Sequence, residues 1–261
     1  MDADNIEAKD LFEVIGTRRS IRYYQTWRPV EDEKIQMILE AARRATHAAN
    51  AGATGAVVVT RDEIDDSDLS ATLPANLQLQ LAPVLIFWYG DISAWEQQGE
   101  KLKELMKVYA LNTTHGWSEK LIDDLIVPFT KAQGDETNWL MTALDAGAAI
   151  AQAQLMATRL GLGTCMNQWA GNPGILGLPE TCKVFWIMTL GYPAESMEAG
   201  GQRPRRPFSD LFHRGKYGTP FPESDEAVAE MRERRLLQRE APLPWRAAEV
   251  RALAHMFGLP E

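Results

Sequence analysis

Apolar positions fall into continuous runs and helical stripes. Pro83-Val84-Leu85-Ile86-Phe87-Trp88-Tyr89 and Val184-Phe185-Trp186-Ile187-Met188-Thr189-Leu190 are almost unbroken, and Ala56-Val57-Val58-Val59 is a shorter version. A run with no polar alternation needs cover on both faces, so these predict buried strands, the 83–89 strand central. Helical spacing predicts a short amphipathic helix over 6–16 (Ile6, Leu11, Phe12, Ile15), broken by Gly16 and Thr17. A stronger helix starts at Pro29-Val30-Glu31-Asp32-Glu33, with the stripe Ile35, Ile38, Leu39, Ala42, and closes on Arg43 and Arg44.

The longest helix is predicted from about 136 to 160, capped by Asp135 and stopped by Gly161 and Gly163. It is apolar nearly all round and rich in alanine, yet Asp145, Gln152, Gln154 and Arg159 interrupt it, which excludes a membrane span. Such a helix belongs in a core or a subunit interface. Residues 91–134 read less clearly: helical patches over 96–111 and 118–127 are punctuated by Trp95, Tyr109, Trp117 and Phe129. These aromatics are either packing residues or a cap over a pocket. Residues 224–240 form a polar pattern that predicts a helix lying across another surface, such as a partner subunit. Pro242 and Pro244 then precede a last short helix over 246–257. The organisation is one domain over 1–221 with a helical extension over 222–261.

The chain has 261 residues, 45% of them hydrophobic, and a net charge of −9. That suits a globular domain with a substantial core and argues against a general nucleic-acid or anionic-membrane surface. The acidic start lacks a signal-peptide pattern, and two cysteines cannot make a disulfide framework. A cytoplasmic, reduced protein is expected. Four scattered histidines give no metal-ligand spacing.

Against this acidic background, Thr17-Arg18-Arg19-Ser20-Ile21-Arg22-Tyr23 concentrates positive charge beside a hydroxyl, and Arg203-Pro204-Arg205-Arg206-Pro207 does so again. Guanidinium forks match phosphate oxygens, so two such segments meeting in space would hold a phosphate. Either segment alone reads as a solvated basic stretch. Gly161-Leu162-Gly163-Thr164-Cys165-Met166 lacks the third glycine of a dinucleotide fingerprint and follows a helix, so a Rossmann domain is excluded.

The chain resembles the nitroreductase family of flavin enzymes. The resemblance rests on Thr17–Arg22, the Pro29-Val30 helix start, Ala45-Thr46-His47-Ala48-Ala49-Asn50, the long helix ending Leu160-Gly161-Leu162-Gly163-Thr164, Leu190-Gly191-Tyr192-Pro193, and Arg203 to Phe208. These stand in the family's order over about residues 10–62 and 135–213, leaving 91–134 and the tail uncovered. The resemblance implies an α+β fold, a mixed central sheet flanked by helices, and a homodimer with the long helix at its interface and FMN between the subunits. Arg18, Ser20, Arg205 and Arg203 would hold the FMN phosphate, Arg19 would act through its backbone, and Arg22 would reach the isoalloxazine or ribityl side. Ala48, Ala49 and Asn50 would come from the other subunit. Met166, Asn167, Gln168 and Trp169 would offer backbone N–H groups near flavin N5 and O4. The chain departs from the family where a Gln-Pro-Trp-like run is expected and Gly52-Ala53-Thr54 stands, and His47 replaces a serine. His47 is either a proton donor in the pocket or a loop histidine bonded to backbone.

The implied activity is hydride transfer from NAD(P)H to flavin N5, then reduction of a nitroaromatic or quinone-like small molecule, with no catalytic side chain of the protein's own. Three rivals stay open. They are specialised flavin chemistry on this scaffold (dehalogenation, ene reduction, a biosynthetic oxidation or flavin breakdown), a non-catalytic flavin binder, and a cofactor-free interaction surface.

Overall fold

A computed structural model describes residues 10–69 and 76–260. Ile6 of the predicted first helix lies outside the described residues. Four strands, β1 (Thr54–Thr60), β2 (Val84–Asp91), β3 (Gly163–Asn167) and β4 (Cys182–Gly191), form a sheet of order β1-β2-β4-β3. The two long apolar runs are its inner strands, with Leu85, Ile86, Phe87 and Ile187 fully buried, as unalternated runs require. All three strand pairings are antiparallel. Parallel pairing, which would make the sheet mixed, is confined to its margin, where Ser20 bridges Thr164 of β3.

One face of the sheet is covered by two helices, α2 (Asp32–Arg43) and a long one, α4 (Val127–Arg159). The helix between them in sequence, α3 (Gln98–Lys107), belongs to the 91–134 segment. Ala149, Ala153 and Ala157 of α4 are buried against Ile38, Ala42, Ile86 and Met188; small side chains let the helix backbone close on the sheet. The opposite side of α4 leaves Leu140 and Leu144 exposed. The predicted 136–160 helix is the portion of α4 after Gly134, whose φ of 76° and ψ of 174° interrupt the helix. Upstream, α4 continues through the predicted 118–127 patch as a π-turn at Ile122–Ile126. The other face of the sheet packs Ile21, Tyr24, Leu69, Leu79 and Trp169.

Two expectations at the chain ends change. The first helix, α1 (Leu11–Thr17), runs through Gly16 and Thr17 rather than breaking there, with Thr17 Oγ1 donating to Glu13 O at 2.6 Å. Gly16 is needed for packing: a Cβ there would meet Arg235 O at 2.0 Å and Leu236 Cα at 2.6 Å. The predicted 224–240 helix stops as α5 (Asp225–Glu233), because Arg235 adopts a left-handed φ of 62° and turns the chain back. The tail then lies across α1 of its own chain, with Arg234 on Asp10 and Arg235 on Glu13, each at 2.6 Å. The last helix, α6 (Arg246–Phe257), follows as predicted. Among the described residues, no helix is long and apolar enough to cross a membrane, and no group of side chains could hold a metal.

Candidate functional site

The chain leaves α1 extended at Arg18 (φ −59°, ψ 127°) and runs beside β3, where Ile21 N–H donates to Thr164 O at 3.0 Å. Extended backbone alternates its side chains. Arg19 and Ile21 turn inward and are buried, while Arg18, Ser20 and Arg22 share the outer face. Arg19 Nη1 donates to the carbonyls of Gly16 (2.7 Å) and Arg18 (2.8 Å), and its Nε, also buried, has no partner.

The second basic segment comes to this place. Burial and then the Arg205 charge push the Arg18 pKa below its ordinary value. Arg19 is lowered by burial and by the charges of Arg18, Arg203 and Arg205. Arg203 donates to Ala199 O at 2.9 Å and Arg205 to Pro204 O at 3.2 Å, so both are held by backbone and not by an acid. Glu198, the acid that acts on Arg19, is itself ion-paired with Arg239 at 3.1 Å. Among the described residues, none of these four arginines has an ion-paired carboxylate. Like charges gathered without a counter-charge are unfavourable, and an anion placed among them reverses the sign.

Glu195 holds this corner together. Its side chain is 1% exposed; Oε1 accepts from Arg22 N (2.6 Å) and Tyr23 N (3.1 Å), and Oε2 faces Arg246 at 2.7 Å. Arg246 also pairs with Glu249 at 2.6 Å, and Glu249 accepts from Ser196 N at 2.6 Å. Tyr23 stacks on Phe257, and Leu243 N donates to Gly200 O at 2.9 Å. The tail therefore braces both arginine segments. Sequence reasoning missed Glu195 and Arg246 because a lone acid and a lone base 51 positions apart form no pattern. It also missed Cys165, whose thiol pKa is raised by burial, against the opposing Arg22 charge and a hydrogen bond with Ser20.

Met166 and Asn167 are the end of β3. This short Gly-Thr-Cys-Met-Asn strand carries no apolar run that would announce it. Thr164 O faces Ile21 on the open side of β3, so by antiparallel alternation the Met166 N–H faces that side too. Asn167 is buried, its amide donating to Cys165 O at 3.2 Å, and Gln168 is exposed. The Trp169 ring turns into the core, donating to Asp68 O at 2.8 Å and meeting Phe87 edge-on at 5.1 Å. What Asn167 and Trp169 have left for a ligand is backbone.

The 45–52 loop is strained. Ala49 (φ 52°) and Asn50 (φ 53°) sit in the left-handed region, which costs an L-residue roughly 1–2 kcal/mol. Asp145 holds the turn by accepting from Ala48 N at 2.9 Å. Burial raises the Asp145 pKa, against the Ala48 N–H and the His47 charge. The segment at 91–134 stands over this loop: Leu102, Leu105, Leu111 and Trp117 face Thr46, His47, Ala49 and Asn50 across a 410 Å³ cleft. Trp117 lines this cleft. Trp95 is a core residue, donating to Thr142 Oγ1 at 2.9 Å.

The loop and the arginine corner do not meet within one chain. Thr54 begins β1 at one end of the sheet, whereas Thr164 aligns through Leu190 and Val84 with Thr60 at the other end, three strands away. With strands about 4.8 Å apart and about 3.4 Å per residue, the two lie roughly 25 Å from each other.

The Nitroreductase family model matches residues 15–192. The chain is 25% identical over 213 residues to the FMN reductase (NAD(P)H) of Bacillus subtilis, spanning 80% of this chain and 74% of that one. The NADPH:FMN oxidoreductase of Vibrio harveyi, solved with NAD+, has a TM-score of 0.55 at 20% identity, covering 85% of this chain and 83% of that one. An Exiguobacterium sibiricum protein solved in complex with FMN has a TM-score of 0.61 at 19% identity, covering 78% and 97%. A family match that runs from α1 to the end of β4 makes this chain a member of the nitroreductase family.

Proposed function

We propose that the protein is an FMN-dependent NAD(P)H oxidoreductase that works as a homodimer, in the cytoplasm, on small electron-poor acceptors such as nitroaromatics and quinones. The observation that carries this is the meeting of Arg18 and Arg19 with Arg203 and Arg205, without an ion-paired carboxylate among the described residues. The donor set fits FMN: guanidinium groups and the Ser20 hydroxyl suit a phosphate, which prefers bidentate, charge-assisted bonds. The relatives point the same way, being named for FMN and NAD(P)H.

Arg18, Ser20, Arg203 and Arg205 would take the phosphate, with Arg19 contributing through its backbone and Arg22 on the ribityl or isoalloxazine side. The backbone of 166–169, with the Met166 N–H on the open edge of β3, would donate to the ring system. Ala48, Ala49 and Asn50 would come from a second copy, since they stand too far from the corner of their own chain. Exposed Leu140 and Leu144 on α4, with Leu11 and Ile15 on α1, supply an apolar surface for that copy. FMN, when bound, accepts hydride from NAD(P)H and delivers reducing equivalents to the acceptor. The chain's part is to bind, orient and exclude water.

A second reading, a specialised acceptor, is supported by one observation: Leu102, Leu105, Leu111 and Trp117 of the 91–134 segment stand across a cleft from the 46–50 loop. Purified protein should show flavin absorbance, bleach anaerobically with NADH or NADPH, and recover on adding a quinone. Protein that stays colourless after incubation with excess FMN overturns the proposal. Flavin that neither nicotinamide bleaches leaves only a binding protein. Bleached flavin that ignores nitroaromatics and quinones selects the specialised reading.

A further inference from the structure

Four of the tail's arginines each hold an acid that stands shortly before one of the two basic segments. Arg234 and Arg235 pair with Asp10 and Glu13, ahead of Arg18. Arg239 and Arg246 pair with Glu198 and Glu195, ahead of Arg203. The acids nearest in sequence to the corner are thus taken up by the tail, while the corner's own arginines keep no carboxylate among the described residues.

Glu198 differs from Glu195 in how firmly it is held. Glu195 accepts from two backbone N–H groups besides its ion pair, so it is fixed in place. Among the described residues, the Glu198 carboxylate bonds only to Arg239 Nη2, at 3.1 and 3.4 Å, and the Arg239 side chain is 68% exposed. An exposed pair of this kind is weak. Other cations stand close by. Arg203 reaches back to Ala199 O at 2.9 Å, one residue from Glu198, and the Glu198 charge acts on Arg19. A carboxylate released beside guanidinium groups that lack an acid is drawn to them, and it uses the same N–H donors that a phosphate needs.

The Arg239 side chain is separable from the docking of the tail. Gln202 N donates to Arg239 O at 2.7 Å, Ala241 N to Gln202 O at 2.9 Å, and Leu243 N to Gly200 O at 2.9 Å. The approach needs glycine: a Cβ on Gly201 would meet Ala241 N and Cα at 3.0 Å. These contacts are made by the main chain and survive a change of side chain at 239. What such a change removes is the partner of Glu198.

We propose that Arg239 is a positioning residue of the anion site: by holding Glu198 it keeps that carboxylate from taking Arg203 and Arg19 in place of a phosphate. This rests on the reading of the corner as the FMN phosphate site.

The test is a double-mutant cycle of Arg239→Gln and Glu198→Gln in the full-length apoprotein, titrated with FMN and with riboflavin and read by flavin fluorescence. Arg239→Gln should weaken FMN roughly threefold to tenfold, the effect of one unscreened negative charge at the site, and leave riboflavin unchanged. In the Glu198→Gln background the same substitution should change FMN affinity by less than about twofold, because no carboxylate remains to be released. That recovery also excludes misfolding as the cause of the loss. Arg239→Lys, which keeps the ion pair, should stay within about twofold of the parent. Arg239→Met is the second variant should Arg239→Gln fail to fold. Equal losses in the two backgrounds, or an unchanged FMN affinity in Arg239→Gln, overturn the proposal while the parent still prefers FMN to riboflavin. A parent without that preference refutes the phosphate reading itself, and this proposal with it.

Discussion

Replacing Arg246 by Met removes the cation from between two carboxylates that hold the backbone at 195–196 and 22–23. Glu195 is 1% exposed and Arg246 17%, at a separation of 2.7 Å. Breaking such a buried pair by deleting one partner costs about 3–5 kcal/mol, because the remaining charge is left uncompensated. The Glu249 contact adds less, about 0–1 kcal/mol, since that pair is nearer to solvent. For a chain of this size the loss should lower Tm by roughly 6–20 °C. Burial would depress the Arg246 pKa, yet the Glu249 and Glu195 contacts outweigh it and raise the pKa, which agrees with a pair that gains more than it loses. Glu195→Gln in the Arg246→Met background keeps an acceptor for Arg22 and Tyr23 and removes the stranded charge. It should recover about 1–3 kcal/mol, a coupling that a double-mutant cycle reads from urea unfolding. FMN binding should weaken in Arg246→Met and partly return in the double variant. An Arg246→Met protein within about 1 kcal/mol of the parent would refute this, because that is the range of an exposed pair.

Other outcomes follow from the same geometry. Gly16→Ala drives a Cβ into the Arg235 carbonyl and should cost about 1–3 kcal/mol while loosening the tail, seen as faster proteolysis near 234–240. Burial raises the pKa of both Cys165 and Cys182, so iodoacetamide at about pH 8 should modify the native protein at least roughly tenfold more slowly than the urea-unfolded chain. Asp145 has a native pKa above its ordinary 3.8, so between the two values the native state binds more protons than the unfolded chain and stability falls as pH rises. Asp145→Asn keeps an acceptor for Ala48 and removes that slope; its Tm relative to the parent should improve from about pH 4 to about pH 7, and a constant difference would contradict the assignment.

Much of the fold is legible because burial leaves a periodic signature. The inner strands β2 and β4 are fully covered and therefore continuously apolar, and α4 packs by alanine and therefore reads as a small-residue helix. The edge strand β3 is invisible for the opposite reason: it is short, holds polar Thr164 and Asn167, and is shielded by the 18–22 segment, a contact no local pattern encodes. The tail helix ends early because Arg235 turns back over Gly16, a tertiary event that polar spacing cannot forecast. At the site, the arginine segments were legible because clustered charge is rare on an acidic chain. Their convergence was a hypothesis of topology, and Glu195, which fixes it, carries no pattern at all. His47 illustrates a third case. The residue stood out, but its buried, unpartnered Nδ1 emerges only when α2, β2 and the 47–52 loop are assembled around it.

Two cationic stretches of one chain are proposed to close on a single phosphate. Equilibrium titration of the apoprotein with FMN and with riboflavin, in the parent and in Arg18→Ala and Arg205→Ala, tests it most directly. Charge-assisted pairs of about 1.5–3 kcal/mol predict that each variant loses about ten- to a hundredfold in FMN affinity. Riboflavin should bind far more weakly than FMN and be indifferent to both substitutions. Equal affinity of the parent for FMN and riboflavin would contradict the account.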